Sequence, residues 1–310
     1  NVLDFVNYND RCLFEGGAGT GKTLLAVELQ RRKKSNNINT GLFCFNRKLG
    51  ERLSSIIENK SGSKTFHYTG SLHEFLLNRT KLKPRQYDHK FFSEDLPFEF
   101  LLQNEELLYN QKFDYLIVDE IQDLITSYYL EVFDLIIKGG LNNGTWTFFG
   151  DFSNQAIFMD QSKDDILDSL RLKANFARYP SLKVNCRNTK IIARQNTLLT
   201  GAEFPDFIHG GIEGKSVVQK FPSLNSYIDT IEKVVKTLLN YSYSFTDMIL
   251  LSPKKFKNTS LWRSQFINNA FQNGLNFSTI QAFKGLEKNI VIIYGFDEIN
   301  SENSQRLLYV

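Results

Sequence analysis

The sequence predicts an α/β fold, and two observations carry that expectation. Short apolar runs rich in β-branched and aromatic residues recur along the chain, at residues 11–15, 41–45, 115–119, 145–150, 182–185, 216–221, 248–252 and 289–295. They are continuously apolar rather than alternating, the pattern of strands buried on both faces of a parallel sheet. Helix-like stretches separate them, at residues 23–34, 48–58, 127–138, 163–177 and 224–239. Alternation of this kind implies right-handed βαβ units.

The 310 residues are enough for two domains, each with its own core. The seam is expected near Tyr179-Pro180, since proline disfavours helix at the residue before it. That gives domains at 1–180 and 181–310. Residues of about 70–112 are polar, charged and helix-leaning, with Pro84 and Pro97 as breakers, and read as a small helical insertion on the first domain. Residues 205–214, with Gly210, Gly211 and Gly214, read as a loop in the second. The sequence opens on Asn1 and stops at Val310 inside an apolar stretch, so part of a longer chain is expected.

A composition of 42% hydrophobic and 23% charged residues is that of a soluble globular protein. No apolar run approaches the roughly 20 residues of a membrane-spanning helix, which argues against a membrane protein. The net charge of +3 permits an anionic partner without requiring one. Cys12, Cys44 and Cys186 lie far apart without CxxC spacing and read as buried thiols in a reducing compartment, the cytoplasm. The run Arg31-Arg32-Lys33-Lys34 reads either as the cationic last turn of a helix or as a nucleic-acid patch.

Two segments carry chemistry. Gly16-Gly17-Ala18-Gly19-Thr20-Gly21-Lys22-Thr23 fits the pattern G-x-x-x-x-G-K-[ST] between a predicted strand and a predicted helix. In such a loop the glycines turn backbone amides inward around phosphate. Lys22 offers a point charge to the β and γ oxygens, and Thr23 presents a hydroxyl to Mg²⁺. ATP with Mg²⁺ is therefore the expected ligand. The second segment, Tyr115 to Asp123, is an apolar strand ending in Asp119-Glu120. It offers one carboxylate for Mg²⁺ and one to accept a proton from an attacking water.

Asp119-Glu120-Ile121-Gln122-Asp123 resembles motif II of superfamily 1 helicases of the UvrD, Rep and PcrA type, and the resemblance extends through most of the chain. Phe43 to Lys48 resembles motif Ia, which implies that Asn46 touches a single-strand backbone. Thr65 to Thr69 resembles the Thr-Phe-His motif, which implies DNA contacts from Phe66 and His67. Phe149 to Phe158 resembles motif III, implying that Gln155 senses the γ-phosphate and Phe158 stacks on a base. Val184 to Asn188 resembles motif IV, whose arginine, Arg187 here, is implied to reach the γ-phosphate from the second domain. Ser278 to Glu287 resembles motif V, implying Thr279 near DNA, Gly285 near phosphate and Glu287 on the ribose. Arg306 to Val310 resembles the opening of motif VI.

Taken singly, His67 reads equally as a strand-end histidine, Phe158 as core, Arg187 as a surface arginine and 284–287 as a turn. Their order along the chain is what supports the motifs. Three features depart from the family: Asp151 and Gln155 stand one residue further apart, Gln281 replaces the usual histidine, and 188–278 leaves no room for a large inserted domain.

The resemblance implies two RecA-like P-loop NTPase domains with parallel sheets, single-stranded DNA as partner, and ATP hydrolysis coupled to 3′→5′ translocation or unwinding. DNA repair and anti-phage defence are the implied settings. A second reading is an ATP-gated sensor or assembly module that licenses a partner nuclease with little unwinding.

Overall fold

The structure, a computed structural model, describes residues 2–57, 65–83, 90–104, 111–152, 163–201, 207–208, 226–296, 304 and 307–308. The chain is α/β with parallel sheets and divides into two compact units. The first is Asn1–Thr189 with Glu203–Ile212, and the second is Lys190–Ala202 with Glu213–Val310. The predicted strand at 216–221 and the residues Gln155 and Phe158 lie outside the described residues.

The first unit is built on six strands: β1 (Arg11–Gly16), β2 (Thr40–Cys44), β3 (His67–Ser71), β4 (Tyr115–Val118), β5 (Thr145–Gly150) and β6 (Ala177–Leu182). They form one all-parallel sheet in the order β3-β2-β4-β5-β1-β6. The crossovers hold α1 (Lys22–Ser35), α2 (Arg47–Ile56), α3 (Leu72–Thr80), α4 (Leu96–Asn104), α5 (Ser127–Ile136), the single turn α6 (Gly140–Asn143) and α7 (Lys163–Lys173). The central strands β2 and β4 are buried at every position, which is why they read as unbroken apolar runs. A short parallel pair, β7 (Val184–Asn185) with β8 (Phe207–Ile208), follows the sheet.

Residues 70–112 contribute α3, a π-helical turn at Phe91–Asp95 and α4. Leu72, Phe75, Leu76, Leu96 and Phe100 are fully buried in the same core as Leu116, Phe133 and Phe148. The segment is therefore packed into the first unit along one helical face.

Three expectations need correction. Helix α7 ends at Lys173, not 177, because Ala177 to Leu182 joins the first sheet as β6 beside β1. An aromatic ladder explains the pairing. Phe14 on β1 stacks on Phe149 of β5 at 5.1 Å and on Tyr179 of β6 at 4.9 Å, with Phe5 edge-on to both Phe14 and Tyr179. Each such pair contributes about 0.5–1.5 kcal/mol beyond area burial. The strand runs straight through Tyr179-Pro180: one residue of β1, Glu15, faces two of β6, Pro180 and Ser181. A bulge on an edge strand is where a sheet tolerates proline.

The second correction is β3, a strand in a stretch with no apolar run. Its sequence, His-Tyr-Thr-Gly-Ser, is polar because it is an edge strand. It is held by the buried Gln30 of α1, whose Nε2 donates to Tyr68 O at 2.9 Å and whose Oε1 accepts from Thr69 Oγ1 at 3.0 Å. Third, Cys12 and Cys44 are buried but Cys186 is exposed. Val184-Asn185 is a two-residue strand, and the cysteine after it sits on a surface turn. Lys33 and Lys34 stand in the basic last turn of α1, and Lys33 Nζ lies 4.2 Å from the centroid of the Tyr115 ring.

The second unit holds α8 (Lys190–Thr200), α9 (Tyr227–Asn240), β9 (Met248–Ser252), α10 (Gln265–Gln272), β10 (Asn276–Thr279), α11 (Ile280–Phe283) and β11 (Ile290–Ile293). Its three strands are parallel in the order β10-β9-β11, and β10, like β3, is a polar edge strand. Ile231, Val235, Met248, Leu250, Leu261 and Ile267 form its core. Among the described residues no helix is long and apolar enough to cross a membrane.

At Gly50 helix α2 lies close against β3. A Cβ there would stand 2.5 Å from Ser71 N and 2.9 Å from Gly70 C, both backbone atoms. Gly50→Ala gains roughly 1 kcal/mol of helix propensity but forces α2 off β3, at about 1–3 kcal/mol for overpacking. The variant is expected to unfold at lower denaturant than the parent; an equal or higher midpoint would show that the helix shifts freely.

Candidate functional site

The sheet of the first unit brings its chemistry to one edge, because every parallel strand ends there. Glu15-Gly16 ends β1, Cys44 ends β2, Val118 leads into Asp119, and Gly150 into Asp151. The loop after β1 turns through Gly19 (φ 77°) and Gly21 (φ 86°), both in the left-handed region where a side chain is strained, and enters α1 at Lys22. Thr20 Oγ1 donates to Gly17 O at 2.8 Å and closes the loop. Lys22 is buried, and its Nζ donates to Gly16 O at 2.7 Å and Gly17 O at 3.0 Å. The ammonium thus lies within the loop that its own backbone forms.

Thr23 Oγ1 donates to Asp119 Oδ2 at 2.7 Å. Asp119 is 0% exposed, and its other oxygen, Oδ1, has no hydrogen-bond partner among the described residues. Burial, then the neighbouring Glu120 charge, push its carboxyl up to about 6, while the Thr23 hydroxyl and Lys22 pull the other way. An orphaned carboxylate oxygen beside a threonine hydroxyl is the hard-oxygen donor set that fits Mg²⁺, which takes few protein ligands and fills its shell from phosphate and water. Among the described residues no group of three or more His, Cys, Asp or Glu forms a metal cage.

Glu120 occupies the left-handed region at φ 55°, unusual for a side chain of its size. Its Oε2 accepts from Gln122 Nε2 at 2.6 Å, and Gln122 Oε1 in turn accepts from Asp151 N at 3.0 Å. Gln122 is fully buried and links the acidic pair to the end of β5. Cys44 lies under the same carboxylates, and burial together with Asp119 and Glu120 holds its thiol well above the usual range.

Arg187 belongs to the first unit and stands close to the phosphate loop. Cys186 N donates to Gly19 O at 2.7 Å. Asn185 is fully buried, and its Oδ1 accepts from the backbone N–H of both Arg187 and Asn188 at 3.0 Å. A Cβ on Gly19 would stand 2.6 Å from Asn185 Oδ1 and 3.2 Å from Arg187 Cβ. The turn that carries Arg187 is thus packed onto the loop, with the arginine exposed.

The other predicted residues fall in different places. Asn46 sits at the same sheet edge, where its side chain caps α2 by accepting from Lys48 N. Phe66 and His67 are not brought there. They stand at the opposite edge, where β3 begins, with Phe66 stacked on Phe113 at 5.1 Å and His67 Nε2 2.8 Å from Thr65 Oγ1. Burial and Lys34 lower the His67 pKa. The strand end on the loop side is Ser71, and two residues on is His73, whose ring meets Phe45 at 5.1 Å. In the second unit, Thr279 caps α11 by accepting from Ala282 N, Gly285 takes φ 80°, and Glu287 is exposed.

Gln122 and Asn185 were not singled out from the sequence, although both lie inside the quoted segments. Their signal was a polar residue at a position that the strand-end geometry makes fully buried.

Asp119→Asn removes the buried charge while keeping an acceptor for Thr23. We expect it to stabilise the unliganded protein by about 1–3 kcal/mol near neutral pH. The folded-state pKa is raised, so the wild type carries no penalty below its unfolded value near 3.8 and acquires one as pH rises through about 6. The gap between the two proteins should open over that range in thermal melts. A less stable variant at neutral pH would contradict the assignment of burial as the dominant effect.

Among solved structures, the chain is similar to one described as "The structure of PRRSV helicase", at 12% identity and a TM-score of 0.48, covering 99% of this chain and 52% of that one. It is also similar to "Crystal structure of Bacteroides sp Pif1 in complex with ADP-AlF4", at 14% identity and a TM-score of 0.30, covering 83% of this chain and 54% of that one. The chain therefore spans about half the length of either. No curated protein matches it. The family model described as "AAA domain" matches residues 5–159, which is half of the 310 residues and contains the phosphate loop and the Asp119-Glu120 pair. This protein belongs to the AAA domain family.

Proposed function

We propose that this chain is an ATP-dependent single-stranded DNA translocase or helicase of the UvrD type, hydrolysing ATP to ADP and phosphate. The observation that carries the nucleotide half of this reading is the Thr23–Asp119 pair beside the phosphate loop, with Glu120 clamped next to it by Gln122. The nucleic-acid half, its 3′→5′ direction and a role in repair or defence rest on the resemblance of the motifs to UvrD-type helicases.

In this reading Lys22 exchanges the carbonyls of Gly16 and Gly17 for the β and γ oxygens, and the loop amides take the remaining phosphate charge. Thr23 and Asp119 would hold Mg²⁺, which would supply positive charge against the triphosphate. Glu120 accepts the proton of the attacking water, and the Gln122 amide aims its carboxylate. Arg187 adds charge on the far side of the loop, and Asn46 meets the strand backbone.

Hydrolysis assayed with and without oligothymidylate on the wild type and on Glu120→Gln tests both halves. We expect DNA-stimulated turnover in the wild type. The variant should keep ATP affinity and lose about 10²–10⁴-fold in rate, the usual contribution of a positioned base. Undiminished turnover would remove Glu120 from that role, and a wild type that neither binds nor responds to DNA would end the helicase reading.

Arg187→Ala should lower kcat by about tenfold or more with KM little changed, as expected for a charge needed chiefly in the transition state. A raised KM with kcat unchanged would make it a binding residue only.

A further inference from the structure

We infer that the segment following β9, residues 253–263, is a single-stranded DNA contact in which Trp262 is a base-stacking platform and Lys254, Lys255, Lys257 and Arg263 follow the phosphate backbone. It rests on the reading of nucleic acid as partner given above and extends it to residues outside every quoted motif.

Position is the first argument. The segment leaves the carboxyl end of β9, the edge at which open parallel sheets bind their ligands. Charge is the second. The chain has 34 acidic residues, yet none falls between Met248 and Leu286, where Lys254, Lys255, Lys257, Arg263 and Lys284 all lie. The first four are exposed. Glu232, the acid that approaches from α9, is engaged at Oε1 by Ser264 Oγ at 2.8 Å and at Oε2 by Lys236 Nζ at 3.1 Å.

Rigidity is the third. Two short 3₁₀ turns, Phe256–Asn258 and Ser260–Arg263, shape the segment. Phe256 anchors it in the core, 4.9 Å from the Phe271 ring and 5.4 Å from Phe277, and Leu261 is fully buried. Ser264 caps α10 by accepting from Ile267 N, and Asn268 Nδ2 donates to Trp262 O at 2.9 Å. The backbone on both sides of Trp262 is thereby fixed, while the residue is 49% exposed, with the Arg263 guanidinium 5.9 Å from the ring centroid. A held, half-exposed indole among cations fits a polyanion that also offers flat π faces. An acidic polypeptide would use the cations and leave the ring unexplained.

The chain has two tryptophans, and the other, Trp146, is fully buried in the first unit, so fluorescence changes on ligand binding report Trp262. Titrating the full chain with oligothymidylate at low salt should quench that emission. Trp262→Ala should bind about tenfold more weakly, and Trp262→Phe should keep most of the affinity. The pair Lys255→Glu with Lys257→Glu should flatten the dependence of affinity on salt. Binding by the wild type without quenching, and with equal affinity in Trp262→Ala, would overturn the inference while leaving the nucleic-acid reading in place. No binding by the wild type would overturn both. Equal quenching by poly-glutamate would reassign the surface to an acidic protein partner.

Discussion

The hydrogen bond from the Thr23 hydroxyl to Asp119 Oδ2 joins the first turn of α1 to the end of β4, across 96 residues of sequence. It holds a carboxylate where solvent does not reach it, and the cost of that charge is visible in its raised pKa. Loop, helix and sheet must all be in register for the bond to form, so the rest of the site is arranged about it. Lys22 is adjacent in sequence to Thr23, and Glu120 to Asp119, so both are delivered by the same contact.

Two further braces limit what these groups can do. Gln122 ties the Glu120 carboxylate to the backbone of Asp151, so the acidic pair cannot swing independently of β5. Asn185 and Cys186 bind the turn carrying Arg187 to Gly19. The phosphate loop is thus pinned at Thr23 on one side and at Gly19 on the other, with the Lys22 ammonium lying between them on the carbonyls of Gly16 and Gly17. Pre-ordering of this kind is what electrostatic stabilisation of a transferring phosphoryl group requires.

In the sheet of the first unit, legibility followed burial. Strands β2, β4 and β5 lie in the middle of the sheet, where both faces are covered, and their unbroken apolar runs announced them. Edge strands β3 and β10 have polar sequences that gave no signal, whereas the edge strand β11 was announced by its apolar run despite being half exposed. The place of β6 depended on Phe14 stacking with Tyr179, a pairing between residues far apart that no local pattern encodes. The same limit applied to Phe66 and His67: a short aromatic motif carries no statement about which end of a strand it occupies, and here it occupies the end away from the loop.

By itself, the sequence determined the α/β class, the phosphate loop and the acidic strand end, because each is specified by residues close together in the chain whose conformational and chemical preferences are local. Only the tertiary structure decided that Asp119 is buried and half unpaired, that Gln122 and Asn185 are structural partners of the site, and that Arg187 stands against Gly19. Those facts depend on which strand ends meet at one sheet edge, and that is settled by packing between segments that the sequence keeps far apart.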